Sequence, residues 1–263
     1  MSLIRQPAVA GMFYPQEEKI LSQMVGQFLK DSPVPLKDEG TLKVLIAPHA
    51  GYIYSGPVAG ACYKQLDTLD KNKHWKVFLL GPAHRVSLQG ISICAYDHFQ
   101  TPMGRVQVSP IAKTLAAQFG FLPEADQQEH SLEVQLPFLQ AQLSSFELIP
   151  IVIGAAPPKG LANILAPLLD EDSLLVISTD LSHFLPYEEA RLVDAIANQA
   201  IPDLDIDLMM EKGDACGLIG VLTAMELAKE QQWSGHFLDY QNSGDTAGDK
   251  DRVVGYGAYC FLG

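Results

Sequence analysis

Val44-Leu45-Ile46-Ala47-Pro48-His49-Ala50-Gly51 is a run of apolar, largely branched residues stopped by proline and followed at once by histidine. A buried strand reads this way, because a parallel strand covered on both faces needs apolar side chains throughout its length. A second copy of the pattern stands downstream as Val77-Phe78-Leu79-Leu80-Gly81-Pro82-Ala83-His84. Working outward, further strands are expected over 148–153 and 174–178, with the first two at 43–47 and 76–80. Between them, helical spacing of apolar residues predicts helices over 57–66, 111–119, 127–143, 161–169 and 187–200. Pro137 is expected to kink or end the third of these. After Pro202 the pattern predicts helices over 203–211 and 217–231. Strands over 235–240 and 253–261 then close the fold around a Gly- and Asp-rich loop at 243–251. The expectation is one α/β domain spanning 1–263, with a largely parallel central sheet flanked by helices.

Composition limits the function classes. With 263 residues and 48% hydrophobic content, the chain is long enough for one large core. Eighteen Lys and Arg against thirty-one Asp and Glu give a net charge of −13, which repels nucleic acid and anionic membranes. Cys62, Cys94, Cys216 and Cys260 are widely spaced, so neither a zinc knuckle nor a disulfide framework is indicated and a reducing, cytoplasmic setting is expected. The first ten residues lack the apolar run of a leader, and no segment reads as a membrane span. The signatures of nucleophile-elbow hydrolases, P-loop nucleotidases and dinucleotide-binding folds are missing from the sequence.

The chemistry collects at strand ends. His49, His84 and His183 each follow a strand, and in open parallel sheets the loops at the carboxyl ends of strands form the ligand crevice. Imidazoles there can ligate metal, move protons or orient a polar substrate. Two neutral imidazoles with one anion would hold a transition metal and leave positions open. His49 and His84 are the natural pair, and the anion could come from Cys216, Asp180, Asp214 or Glu133.

Cys216 stands directly before a helix, where the dipole favours a thiolate; a small buried residue at a helix start is the plainer alternative. Asp180 and His183 are three apart, so a helical turn would let the carboxylate orient the ring for acid–base work. The plainer alternative is an N-cap. His130 and Glu133 are also three apart, but Asp126-Gln127-Gln128-Glu129 reads as a capping box that accounts for the local polarity, which leaves them at most a supporting role behind the cleft. His74, His98 and His236 follow no comparable strand end.

The same segments resemble the Memo family: Arg5-Gln-Pro-Ala-Val-Ala-Gly-Met-Phe-Tyr-Pro15, Ala47-Pro-His-Ala-Gly-Tyr-Ile-Tyr-Ser-Gly56, Leu80-Gly-Pro-Ala-His84, Glu129-His-Ser-Leu-Glu-Val-Gln-Leu-Pro137, Ser178-Thr-Asp-Leu-Ser-His183, Ala215-Cys-Gly217, Asn242-Ser-Gly-Asp245 and Asp251-Arg-Val-Val-Gly-Tyr256. The resemblance covers nearly the whole chain. It implies a fold similar to LigB-type (class III) extradiol dioxygenases, with iron or copper bound by His49, His84 and Cys216. It also implies His183 as the acid–base histidine beside Asp180, and Phe13 at the pocket rim. Memo-like proteins are known as signalling mediators, and some relatives are labelled AmmeMemoRadiSam system protein B. The resemblance therefore also allows a binding module holding a small molecule, a peptide or a partner such as a radical-SAM protein. A third reading is a metal-free cysteine hydrolase with Cys216 as nucleophile and His183 or His49 as base.

Overall fold

The computed structural model describes residues 3–37 and 39–263; Met1 and Ser2, which belong to the stretch read for a leader, and Asp38 lie outside the described residues. The strands run, in chain order, β1 (Ile4–Arg5), β2 (Leu42–Ala47), β3 (Trp75–Pro82), β4 (Ile91–Ile93), β5 (His98–Thr101), β6 (Gly104–Gln107), β7 (Phe146–Ile153), β8 (Ser173–Ser178), β9 (His183–Leu185), β10 (Ser234–Asn242) and β11 (Val253–Leu262). The helices are α1 (Glu18–Asp31), α2 (Tyr52–Tyr63), α3 (Pro110–Phe119), α4 (Pro123–Asp126), α5 (Leu136–Gln142), α6 (Pro158–Leu165), α7 (Tyr187–Ala200), α8 (Ile206–Lys212) and α9 (Leu218–Gln231).

The main sheet has the order β10-β11-β2-β8-β3-β7-β4, with β9 paired to β11, and a small second sheet has the order β1-β5-β6. The four central strands β2, β8, β3 and β7 are mutually parallel. Each is the apolar run expected of a strand buried on both faces. The flanks differ from the largely parallel expectation: β11 pairs antiparallel with β2 and with β10, and β4 pairs antiparallel with β7. The architecture is therefore an α/β fold with a mixed sheet and flanking helices. β10 and β11 meet as a hairpin because only a short loop joins them, and that connection permits no parallel crossover. Buried apolar residues from β2, β3, β7 and β8 join one core cluster with side chains from α1, α2, α5, α6 and α9.

Two expected helices differ in ways that matter to the site. The helix at 57–66 begins five residues earlier, at Tyr52, whose amide donates to the Phe13 carbonyl, and Pro57 lies inside it. The long helix at 127–143 is not formed. Its place is taken by the short α4, an irregular turn through Glu129 to Leu132, a 3-10 turn at Glu133–Gln135, and α5 with Pro137 in its first turn. The capping box expected at Asp126 and Glu129 is absent, because both carboxylates are fully buried and engaged elsewhere. A capping box forms instead at Asn242 and Asp245, in the turn between β10 and β11. Among the described residues no helix is long and apolar enough to cross a membrane.

Candidate metal centre

The carboxyl ends of β2, β3 and β8 lie side by side, so the loops after them converge on one place. His49, two residues past the end of β2, is 2% exposed. Its amide donates to Asp180 Oδ1 at 2.7 Å, and its Nδ1 lies 2.8 Å from Ser178 Oγ. The Ser178 hydroxyl donates its proton to the Ser131 carbonyl and accepts from Gln135 Nε2. It therefore has only a lone pair to offer the imidazole. His49 accordingly carries its proton on Nδ1 and presents a lone pair at Nε2.

His84, in the loop after β3, is held by Glu129. The Glu129 Oε2 accepts the His84 amide at 2.6 Å, and Oε1 accepts its ring Nδ1 at 2.9 Å. The Glu129 carboxyl is lowered to about 2: burial works to raise it, but hydrogen bonds from the His84 ring and amide outweigh that cost. The acceptor is thus ionised, so Nδ1 of His84 donates and Nε2 is the ring nitrogen left to face the cluster. Fixing one ring nitrogen to aim the other is how ligating histidines are oriented.

The third member is His130. Its amide donates to Glu129 Oε1, and its ring stacks on His84 with centroids 4.7 Å apart and packs at a tilt against Phe13 at 4.8 Å. The rings of His49 and His84 lie 5.2 Å apart, and those of His49 and His130 5.4 Å apart. One nitrogen from each of the three falls within 4.8 Å of the others. With metal bonds near 2.1 Å the nitrogens would sit about 3–3.5 Å apart, so modest ring rotations close the triangle. His130 Nδ1 is buried without a hydrogen bond, an arrangement that normally has an explanation. Burial lowers the His130 imidazole to about 4, and burial together with His130, His84 and His183 pushes His49 well below the usual range. Both stay neutral near pH 7, as metal ligation requires.

This grouping overturns the expected ligand set of two histidines and one cysteine. The cluster is His49, His84 and His130, and Cys216 stands beside it as a hydrogen-bond partner: Sγ is 3.2 Å from His49 Nε2 and accepts the Asp180 amide at 3.2 Å. Burial, reinforced by Asp180, pushes the thiol up to about 12. It is therefore a neutral S–H donating to the His49 lone pair, and the thiolate expected from the helix start does not form because desolvation outweighs the dipole. Gly217 explains how α9 brings the thiol so near: a Cβ there would lie 2.6 Å from the Ser178 carbonyl oxygen.

A polar cavity of about 450 Å³ opens beside the cluster, lined by Phe13, Tyr54, His130, Asp180, His183 and Arg252 among others. Asp180 is raised to about 6 by burial, against the opposing pull of the His49 amide and His183. The expected helical turn linking Asp180 to His183 is not made. His183 opens β9, and Asp180 Oδ1 binds the His49 backbone instead. Of the other candidate ligands, Asp214 is exposed and Glu133 is buried 3-10 structure bound to Arg5, Tyr14 and the amides of Ala8 and Val9. His74 pairs with Ser145 and His236 with Ser234, away from the cluster. The missed residue is His130. Its signal was the adjacent Glu129, fully buried where a capping-box acid would face solvent, at the point where the helical pattern fails.

A profile of the family described as Memo-like protein matches residues 5–260. The chain belongs to the Memo family. Among relatives, a MEMO1 family protein of Aquifex aeolicus is 36% identical over 273 residues, covering 98% of this chain and 99% of the relative. Those of Sulfurisphaera tokodaii and Archaeoglobus fulgidus are 34% and 31% identical, covering 97% and 98% of this chain and 98% and 99% of the relatives. The Memo-family match spans every loop that contributes to the histidine cluster.

Proposed function

We propose that this Memo-family chain, acting as one unit over 1–263, binds a redox-active transition metal, iron or copper, at His49, His84 and His130 in a cleft of the LigB dioxygenase type. The observation that carries the reading is the convergence of three imidazole nitrogens within 4.8 Å, one of the rings having an orphaned buried nitrogen. An all-nitrogen donor set favours transition metals over magnesium or calcium, which take oxygen ligands. When bound, the metal would supply a redox and Lewis-acid centre. The chain's own residues would do the rest. His183 and Asp180 face the polar cavity, and a carboxyl near 6 exchanges its proton close to neutral pH. Phe13, against His130, shields that ring from water. The net charge of −13 and the absence of cysteine pairing support a cytoplasmic protein that avoids nucleic acid and membranes.

Anaerobic reconstitution with Fe(II) or Cu(I), desalting and elemental analysis test this reading. Near-stoichiometric metal supports it, and metal-free protein after exposure to both ions overturns it. A second reading, in which the cleft holds a peptide or a partner such as a radical-SAM protein, draws on Met12 and Phe184. These are 73% and 61% exposed and lie next to Phe13 and His183 of the cavity wall. Partner capture that survives His49→Ala would favour it.

A further inference from the structure

A second chamber, of about 480 Å³, lies on the Cys216 side of the cluster. Its floor is the carboxyl ends of β3, β7 and β8, one wall is the loop after β3 that carries His84, and the other is the start of α9. The volume falls within the range of about 300–1,000 Å³ usual for small-molecule sites. The chemistry of its walls sets it apart from the polar cavity. No Asp, Glu, Lys, Arg or His is among the described residues that line it, whereas the polar cavity has Asp180, His130, His183, Asp249 and Arg252.

An anion entering this chamber would meet no cationic side chain, in a protein of net charge −13. A cation would meet no carboxylate. Either would lose its hydration without an oppositely charged side chain, a cost that the few amides at the start of α9 offset only in part for an anion. A neutral apolar body meets Val86, Leu88, Ile153, Leu218 and Ile219. Hydrogen bonding is available from Ser87 and Gln89, which also line the chamber and are exposed to solvent. The Ser178 hydroxyl at the floor is already fully engaged, so the inner end of the chamber adds no polar demand beyond the Cys216 thiol.

We propose that this chamber binds a neutral, largely apolar small molecule bearing one or two hydrogen-bonding groups, and presents it to the histidine cluster across Cys216. Val86, Leu88, Ile153, Leu218 and Ile219 set its size and class. The proposal deepens the metal-site reading by naming the kind of molecule brought to that site, and it rests on that reading for its functional meaning. The binding step itself does not need the metal.

The test uses the metal-free full chain, labelled at Ile, Leu and Val methyls, titrated by NMR with 1-naphthol and separately with 1-naphthoate. The expected result is saturable shifts of the Leu88, Ile153 and Leu218 methyls with 1-naphthol, at least about ten-fold tighter than with 1-naphthoate. Leu218→Trp and Val86→Trp, each filling the chamber from a partly exposed position, should weaken 1-naphthol by about ten-fold or more. Absence of saturable shifts at these methyls, equal binding of the carboxylate, or wild-type binding in both folded Trp variants would overturn the proposal. Metal binding without 1-naphthol binding sinks the chamber alone, and the converse sinks the metal reading alone.

Discussion

Two polar clusters meet at Glu129, one fully buried and one that opens to solvent at His84, and they are built on opposite principles. On one side the Arg5 guanidinium is saturated: Glu133, Asp126 and the carbonyls of Asp126 and Glu129 accept its protons. Glu133 in turn accepts the amides of Ala8 and Val9 and the Tyr14 hydroxyl. Burial acts to lower the Arg5 pKa, but Asp126 and Glu133 overcome it and raise it. On the other side three imidazoles converge, with His130 Nδ1 making no hydrogen bond although 3.4 Å from Glu129 Oε1, and His49 Nε2 met only by a thiol. The knot, in which Asp126 Oδ1 makes no hydrogen bond, pins the N-terminal segment to the turn that carries His130. The unsaturated triangle gains nothing from closeness until a cation arrives. A buried charge ringed by its counter-charges serves architecture, and converging imidazoles that have none mark chemistry.

If that contrast holds, the largest loss of stability comes from the knot. Arg5→Met leaves Asp126 and Glu133 buried without their counter-ion and should cost about 3–5 kcal/mol in urea unfolding, with metal stoichiometry of the folded protein unchanged. A loss below about 1 kcal/mol would remove the knot from the architecture.

The bridge comes next. Glu129 sits at about 2 against a usual 4.5, so its contribution is present above the unfolded value and fades as pH falls from about 5 toward 2. Glu129→Gln should cost about 2–3 kcal/mol at pH 7, with the deficit shrinking over that acid window. Metal affinity should fall about 10–100-fold, because His84 loses the acceptor that aims it. A deficit independent of pH would contradict the ionised bridge.

The triangle should matter least to folding. His130→Ala is expected to change stability by about 1 kcal/mol or less at pH 7. Its sign has a pH signature. The wild-type imidazole is lowered to about 4 from 6.5, so the unfolded chain takes up the proton first and the wild type loses stability as pH falls through that interval. The variant lacks this component, and equal acid slopes in the two proteins would count against a neutral buried ring.

The parts of this arrangement that were legible in the sequence are those fixed by local pattern. β2, β3, β7 and β8 are continuous apolar runs, and His49 and His84 follow two of them directly, so the place of the cleft and two of its imidazoles could be read from the chain. His130 could not. Residues 127–143 have helical spacing, and the turn replacing the first part of that helix is imposed by Glu129, whose carboxylate gathers amides of His84, His130 and Ser131 across long and short range. Cys216 was legible as a residue of the site, but its protonation was not, because desolvation depends on packing that a helix-start rule does not contain. The antiparallel edge at β4 was equally hidden: β4 has three residues, and its pairing with β7 joins segments far apart in sequence.

The most direct test of the three-histidine centre is elemental analysis of the wild type, His130→Ala and Cys216→Ser after identical anaerobic loading with Fe(II) or Cu(I). Near-stoichiometric metal in the wild type and in Cys216→Ser, with loss in a folded His130→Ala, is the predicted result. Retention in His130→Ala together with loss in Cys216→Ser would contradict it.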